Sequence, residues 1–478
     1  CNMDNSKRNF LYTSLYQILT ILIPLITTPY LSRVLGAEQL GRFSFSYSIA
    51  YYFMMFIKLG LDNYGNRSIA YVRDDKIKLS KIFCEIYLFQ FVCACLFICL
   101  YFYYCILFTN NILNYILFIY VLSGLFDITW FFYGLEKFKL TVSRNIIVKI
   151  ISTIAIFVLV KNKTNIYEYT LIVSISSLVS QLMVWPFLKS QIIITRVSFK
   201  SIVKHVKPNV ILFIPVIAVS LYNIMDKIML GSLSTKIQLG YYDSSEKVLQ
   251  IPIALITALG TVMMPRMASM RATAQKKQIN SVVGKSIEFA MFLSCGMAFG
   301  LMGVAKTFVP WYYGNSFEDC IMLFKVLLPS CIFLAFANVI RTQFLIPYEK
   351  DKIYIFGVIS GALVNLFFNF LLIPKFQAIG ASIGTLLAEI TVCFVQAGLV
   401  KNELNIMIFC KKTIKYIISG IIMFTIIVHI DFNIFNTFLN LTLQVIIGCI
   451  IYLGLILLWV LISRRLLTSS KTLTSQNE

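Results

Sequence analysis

The chain has 478 residues, of which 59% are hydrophobic and only 13% are charged. Its mean hydropathy of +0.81 lies far from the composition of a soluble globular domain, so lipid must be the solvent for most of the chain. The net charge of +21 does not indicate a nucleic-acid partner, because the basic residues lie in small groups between apolar runs and form no basic element.

Apolar runs long enough to cross a bilayer, which takes about 20 residues, recur from Phe10 to Ile462. They predict an all-α membrane protein with about fourteen transmembrane helices and no separate soluble domain. The predicted spans cover residues 10–31, 44–61, 82–108, 112–134, 145–160, 168–188, 209–231, 248–265, 286–309, 320–345, 353–373, 378–398, 413–430 and 438–462.

Lys and Arg alternate between the two sides of these spans, with 29 assigned to one side and 8 to the other. Cytoplasmic loops carry the excess of basic residues. The pattern therefore predicts an even number of spans, with both termini in the cytoplasm.

A short motif occurs twice, at the outer end of the first span and of the seventh span. Arg33–Gly41 reads RVLGAEQLG, and Asp226–Gly240 reads DKIMLGSLSTKIQLG, so both contain Leu-Gly followed by Gln-Leu-Gly. The offset equals six spans, which relates the two halves by a pseudo-two-fold axis along the membrane normal. We predict two six-helix lobes, residues 1–200 and 201–400, followed by a C-terminal helix pair and tail, residues 401–478.

Charges inside a membrane are costly and normally face a cavity or a partner. Lys58 and Asp62 are spaced i, i+4, which predicts a local ion pair or a contact to an anionic headgroup. Asp226 and Lys227 are adjacent, so their side chains must point to different faces. Arg suits phosphate binding because its donor fork can contact two oxygens at once; the other candidates are Arg33, Arg266, Arg341, Asp127 and Glu389.

Several kinds of site receive no support from the sequence. The twelve cysteines are scattered, and the two histidines, His205 and His429, lie in different segments, so we expect neither a disulfide framework nor a metal site. No nucleotide-binding loop occurs, and we expect no cofactor. Aromatic clusters at Trp130–Tyr133 and Pro310–Tyr313 fall at span ends. They could stack on sugar rings, but an interfacial belt is the favoured interpretation at this position.

Three blocks give the chain a family resemblance: Pro29–Gly36 (PYLSRVLG), Asp127–Lys139 (DITWFFYGLEKFK) and Asp226–Gly231 (DKIMLG). With these blocks the chain resembles the Wzx-type O-antigen and polysaccharide-unit flippases of the multidrug, oligosaccharidyl-lipid and polysaccharide exporter superfamily. The resemblance implies two six-helix lobes around a central cavity, alternating access, and an undecaprenyl-pyrophosphate-linked oligosaccharide as cargo.

The resemblance also implies roles for the intramembrane charges. The family's cavity is cationic, which assigns headgroup binding to Arg33, Lys58, Lys227, Arg266 and Arg341, and ion pairing or coupling to Asp62, Asp127, Asp226 and Glu389. The implied partners are the lipid-linked oligosaccharide, membrane lipid, a coupling ion (H⁺ or Na⁺) and a polysaccharide polymerase, and the implied location is the bacterial inner membrane. The alternatives are an antiporter of cations or drugs from the same superfamily and a flippase for lipid II-type precursors. A membrane-embedded enzyme is disfavoured because the outer loops are short.

Overall fold

The computed structural model describes residues 2–109, 111–270, 276–430 and 436–474. Within these ranges it describes only the backbone of residues 2–18, 21, 222–223, 261–262, 265–266, 268, 276 and 463–474. The described residues form helices joined by short turns, and no strand occurs among them. The predicted all-α fold is confirmed.

The chain divides into two compact units, Cys1–Asp243 and Ser244–Glu478. The first unit contains, in chain order, α1 (Asn2–Lys58), α2 (Leu61–Ala70), α3 (Lys76–Phe108), α4 (Ile112–Ser123), α5 (Thr129–Gly134), α6 (Phe138–Leu159), α7 (Ile166–Leu182), α8 (Trp185–Leu188), α9 (Phe199–Asn223), α10 (Met225–Leu233) and the start of α11 (Lys236–Met270).

The second unit begins inside α11. It continues with α12 (Lys276–Tyr313), α13 (Cys320–Leu327), α14 (Ser330–Ile340), a π-helical turn (Arg341–Leu345), α15 (Asp351–Val400), α16 (Ile406–Val428) and α17 (Thr437–Thr474). The last two helices pack on α12, where the Tyr452 hydroxyl donates a hydrogen bond of 2.8 Å to the Phe292 carbonyl. The predicted boundaries of the lobes, at residues 200 and 400, stay a prediction.

Two of the predicted loops are sharp kinks between consecutive helices. The first two predicted spans both lie in α1, on either side of a kink at Gly36, whose φ of +75° is readily adopted by glycine. Predicted spans eleven and twelve both lie in α15, on either side of Gln377. Both departures from helical geometry lie in predicted loops, Gly36 between residues 31 and 44 and Gln377 between residues 373 and 378, so the apolar runs located these breaks as well as the spans.

Among the described residues, nine helical stretches are long and apolar enough to cross a membrane. One of them, Asp351–Val400, has 50 residues and departs from helical geometry at Gln377. The parts on either side of Gln377 would be about 39 and 35 Å long, enough for one crossing each. Large apolar side chains also cover the outer surface, for example Val92 and Leu96 on α3 and Ile450 and Leu457 on α17. Such a surface requires lipid rather than water around it.

Candidate functional site

The fourth predicted span is interrupted at Asp127, where the backbone is extended between α4 and α5. The Asp127 carboxylate accepts a hydrogen bond of 3.0 Å from the Thr129 amide at the start of α5. Gln90 of α3 covers the interruption, because its Nε2 donates to the carbonyl oxygens of Gly124 and Asp127 at 2.8 and 2.9 Å. These bonds satisfy the interrupted backbone and leave Asp127 Oδ2 in position to accept a cation.

Lys58, the last residue of α1, supplies that cation. Its Nζ lies 2.8 Å from Asp127 Oδ2 and 2.8 Å from Asp62 Oδ1. The side chain of Asp127 is 3% exposed, whereas that of Asp62 is 62% exposed, so the attraction to Asp127 is much less screened by water. The contact with Asp62 matches the i, i+4 spacing, but the partner 69 residues away could not be read from the sequence.

A second buried pair joins three helices of the first unit. His205 Nε2 of α9 lies 2.9 Å from Glu85 Oε2 of α3, and His205 Nδ1 lies 2.7 Å from the Tyr64 hydroxyl of α2. With a proton on Nε2, the imidazole donates to Glu85 and accepts from Tyr64. Glu85 lies near the start of the predicted span 82–108, but the sequence provided no reason to connect that carboxylate with a histidine 120 residues away.

Asp226 and Lys227 point to different partners, as their adjacency predicts. Asp226 is 1% exposed and accepts a hydrogen bond of 2.8 Å from the Tyr242 hydroxyl. The Nζ of Lys227 lies 2.7 Å from Asp243 Oδ1, which also accepts a hydrogen bond of 3.0 Å from Ser44. Lys227 is therefore ion-paired, and its carboxylate partner is anchored by α1.

The two copies of the repeated motif touch each other within the first unit. A Cβ atom on Gly41 would lie 1.7 Å from the Lys236 carbonyl oxygen, and one on Gly240 would lie 1.9 Å from the Ala37 carbonyl oxygen. No larger residue could occupy either position without moving the facing backbone. The glycine of each Gln-Leu-Gly sequence is thus explained by a reciprocal contact: the glycine of one copy packs against the backbone of the other copy.

In the second unit, Arg341 starts the π-helical turn, a helix distortion that is frequent at functional sites. Its guanidinium lies 5.8 Å from the centre of the Tyr354 ring and near enough to the buried side chain of Glu389 to interact with it electrostatically. Gln343 is also buried, and neither polar atom of its side chain has a hydrogen-bond partner among the described residues. The interior of this unit therefore contains polar groups where the sequence placed Arg341 and Glu389.

The other two predicted cations are Arg33 and Arg266. Arg33 lies in α1 next to the kink and is exposed. The side chain of Arg266 lies outside the described residues. The structure therefore brings Lys58, Asp62 and Asp127 into one cluster, Lys227 with Asp243 into another, and Arg341 near Glu389.

The predicted aromatic belt at Trp130–Tyr133 is wrong for three of its four residues. Trp130, Phe131 and Phe132 are completely buried. The Trp130 Nε1 donates a hydrogen bond of 3.0 Å to Gln90 Oε1, which satisfies the one polar atom that would otherwise have favoured the interface. In the other cluster, Tyr313 is also completely buried. These aromatic residues hold helices together rather than anchoring the chain at the membrane surface.

Helices of this length, an apolar outer surface and buried ion pairs define a multi-pass, all-α membrane protein. Its fold is similar to that of a solved structure of lipid II flippase MurJ in an inward closed conformation, with a TM-score of 0.72 and 15% sequence identity over 94% of this chain and 98% of that one. The family model described as "Polysaccharide biosynthesis protein" matches residues 6–271, more than half of the chain. The chain therefore belongs to this family.

Two curated relatives extend the similarity. The chain is 23% identical over 409 residues to a protein of Escherichia coli (strain K12) named "Putative O-antigen transporter", covering 84% of this chain and 98% of the relative. It is 24% identical over 400 residues to a protein of the same name from Shigella dysenteriae, covering 83% of this chain and all of the relative. These relatives therefore match nearly from end to end.

Proposed function

We propose that this protein flips a lipid-linked glycan, an undecaprenyl-pyrophosphate-linked oligosaccharide repeat unit, from the cytoplasmic to the periplasmic face of the bacterial inner membrane. The observation that carries the proposal is the near full-length similarity to proteins named as O-antigen transporters. Family membership over residues 6–271 agrees with it. Both termini would lie in the cytoplasm, as the distribution of basic residues predicts.

The physical task is to lower the cost of moving a polar glycan through hydrocarbon. Each hydroxyl transferred without a hydrogen-bond partner costs about 2–7 kcal/mol, so an oligosaccharide cannot cross unaided. A chain whose helices enclose hydrogen-bonding and charged groups can supply substitutes for water. This task requires no covalent chemistry, and the relatives are named as transporters rather than enzymes.

Alternating access is the mechanism of movement in this proposal. The contact of Gly41 and Gly240 with the facing backbone lies at the predicted outer ends of the first and seventh spans. In our proposal this contact closes the outer end while the substrate binds from the cytoplasm, and it separates when the substrate leaves.

The charged positions are assigned roles within the same proposal. The headgroup would contact Arg33, Lys58, Lys227, Arg266 and Arg341, and the coupling groups would be Asp62, Asp127, Asp226 and Glu389. Lys58 and Lys227 are ion-paired in this conformation, so a pyrophosphate would have to compete with carboxylates at both. A gradient of H⁺ or Na⁺ would supply the energy, and a polysaccharide polymerase would take the product.

A deletion strain tests the proposal. Without the gene, undecaprenyl-linked oligosaccharides should accumulate on the cytoplasmic face and surface polysaccharide should disappear, and the wild-type gene should restore both. Alanine variants of Arg33 and Arg341 should restore less, whereas Gly398→Ala is a suitable control because a Cβ at Gly398 meets nothing within 4 Å.

Three outcomes would contradict this assignment. Normal surface polysaccharide with altered drug resistance would favour the antiporter. An arrest of peptidoglycan synthesis would favour a lipid II-type substrate. Accumulation on the periplasmic face would place the defect after translocation, at polymerisation.

A further inference from the structure

The second half of the block Asp127–Lys139 lies beyond both the Lys58–Asp127 ion pair and the buried aromatic residues. After Gly134 the chain reverses in a tight turn, in which the Lys137 amide donates to the Phe132 carbonyl at 2.9 Å. Glu136 takes a left-handed conformation with φ of +56°, which is uncommon for a residue other than glycine. The turn places Lys137 and Lys139 beside a cavity of about 650 Å³.

The charge of this cavity is mainly positive. Lys137, Lys139 and Arg144 line it together with one carboxylate, Glu136. That carboxylate lies 2.6 Å from the guanidinium of Arg73, which offsets its charge. A cavity of this volume is in the range of small-ligand sites, and three cations around it favour an anion.

Arg144 is held rigidly in the cavity wall. It is 6% exposed, and it donates hydrogen bonds to Asn145 Oδ1 at 2.9 and 3.0 Å and to Gln181 Oε1 at 3.2 Å. These acceptors are neutral and fix the plane of the guanidinium. Because these bonds engage the guanidinium donors, Arg144 contributes a fixed positive charge to the cavity wall, and Lys137 and Lys139 are the cations left to contact an anion directly.

An exposed apolar face leads away from the same cavity along α6. Ile147 lines the cavity, and Ile151, Ile154 and Val158 follow at spacings that put them on one side of a helix. All four are between 47% and 61% exposed. A ligand that occupies the cavity and this face would have an anionic head and a long apolar tail.

We propose that the cavity formed by Lys137, Lys139 and Arg144 captures the pyrophosphate end of the polyprenyl-linked substrate from the bilayer, with the polyprenyl chain along the exposed face of α6. This inference rests on the proposed function and adds a capture site to it. Residues 135–144 form one of the loops that the distribution of basic residues assigns to the cytoplasm, the side on which the substrate would bind first. The site is separate from the five cations predicted from the sequence.

The test is lipid binding by the purified full chain in detergent, measured by native mass spectrometry. Undecaprenyl pyrophosphate, phosphatidylglycerol and inorganic pyrophosphate are titrated separately. Lys137→Gln/Lys139→Gln should weaken the binding of undecaprenyl pyrophosphate by about tenfold, because the double variant removes two charge-assisted hydrogen bonds at a site that water can reach. The matched control is Lys76→Gln/Lys81→Gln, which removes two exposed lysines of α3 and should leave this binding unchanged.

Each other outcome has a defined meaning. An equal loss of phosphatidylglycerol binding would make the cavity a general site for anionic lipid, and equally tight binding of inorganic pyrophosphate would show that the apolar face contributes nothing. Either result overturns the proposal. Unchanged binding of undecaprenyl pyrophosphate by the Lys137→Gln/Lys139→Gln variant also overturns it. A wild-type protein that binds no undecaprenyl pyrophosphate would instead count against the proposed function itself.

A second measurement covers the case in which the double variant does not fold. A diazirine-bearing analogue of undecaprenyl pyrophosphate is cross-linked to the wild-type protein, and the labelled peptides are identified. Labelling within residues 135–158 and 183–187 supports the capture site. Labelling confined to other helices overturns it.

Discussion

Replacing Lys58 by Met should be far more damaging than replacing its exposed partner Asp62 by Asn. Lys58→Met leaves the carboxylate of Asp127, 3% exposed, without its ammonium, and breaking a buried pair from one side costs about 3–5 kcal/mol. The Thr129 amide still donates to the same carboxylate, so we expect the lower end of this range. Asp62→Asn removes a pair with a largely exposed carboxylate, worth at most about 1 kcal/mol.

The measurement is equilibrium unfolding in mixed micelles, followed through the fluorescence of Trp130 in a background in which Trp185, Trp311 and Trp459 are replaced by Phe. The double variant Lys58→Met/Asp127→Asn removes both charges and should recover most of the stability that Lys58→Met loses. If the double variant is as unstable as Lys58→Met, or if Asp62→Asn costs as much, the buried pair is not what stabilises this region.

The same variants separate a structural lysine from one that binds substrate. If Lys58 only neutralises Asp127, the stable double variant should restore surface polysaccharide in the deletion strain. If Lys58 contacts the headgroup, or if Asp127 is a coupling group as proposed, the double variant should be folded but inactive. A folded, active double variant would remove Lys58 from the set of proposed headgroup contacts.

Three further predictions concern other contacts. Gly60→Ala should destabilise the protein by about 1–3 kcal/mol, because the added Cβ would lie 2.5 Å from a backbone oxygen of α9. Gly398→Ala should not destabilise it, because a Cβ there meets nothing within 4 Å. Equal unfolding curves for the two variants would refute this prediction. His205→Ala should cost about 1–3 kcal/mol by leaving the Glu85 carboxylate, 7% exposed, without its ring partner, and adding Glu85→Gln should recover part of the loss in the same unfolding assay. Burial lowers the pKa of Lys236 to about 8, below that of an unfolded lysine at about 10.4. Folding therefore favours the neutral form of Lys236, and the free energy of unfolding should rise as the pH increases between these two values. An amine-reactive ester should label Lys236 preferentially at pH 8, and labelling no faster than that of other lysines would contradict the lowered pKa.

The positions of the membrane helices could be predicted because they depend on local sequence. An apolar run has to be buried in lipid whatever it later contacts, so the predicted spans fall on helical segments of the structure. The interruption at Asp127 was not predicted, since it is stabilised by Gln90 from another helix. The aromatic block beside it was misassigned for the same reason, because only the tertiary structure gives the Trp130 indole a buried acceptor.

The candidate site was predictable as a list of residues but not as a set of pairs. The contact of Lys58 with Asp62 was predicted from helical spacing, although α1 ends at Lys58 and Leu59 takes a left-handed φ of +48°. Adjacency separated Asp226 from Lys227. The pairs of Lys58 with Asp127 and of His205 with Glu85 span 69 and 120 residues, and nothing in a single sequence connects such positions. The basic character of Lys137 and Lys139 was visible, but the cavity beside them depends on how α6 packs against α7.

The buried pairs limit how an anionic headgroup could use the lysines. Asp127 is held by the Thr129 amide, and its own carbonyl is held by Gln90, so moving it away would break several buried bonds at once. Asp62 lies at the other side of Lys58 and is 62% exposed, so water can replace it at little cost. A pyrophosphate arriving at Lys58 would therefore displace Asp62 and leave Asp127 in place. The headgroup would gain a cation whose charge is already shared with a fixed carboxylate, and this favours weak, reversible contact. Transport needs a contact that differs between conformations, because a substrate bound equally tightly in every conformation shifts no equilibrium between them.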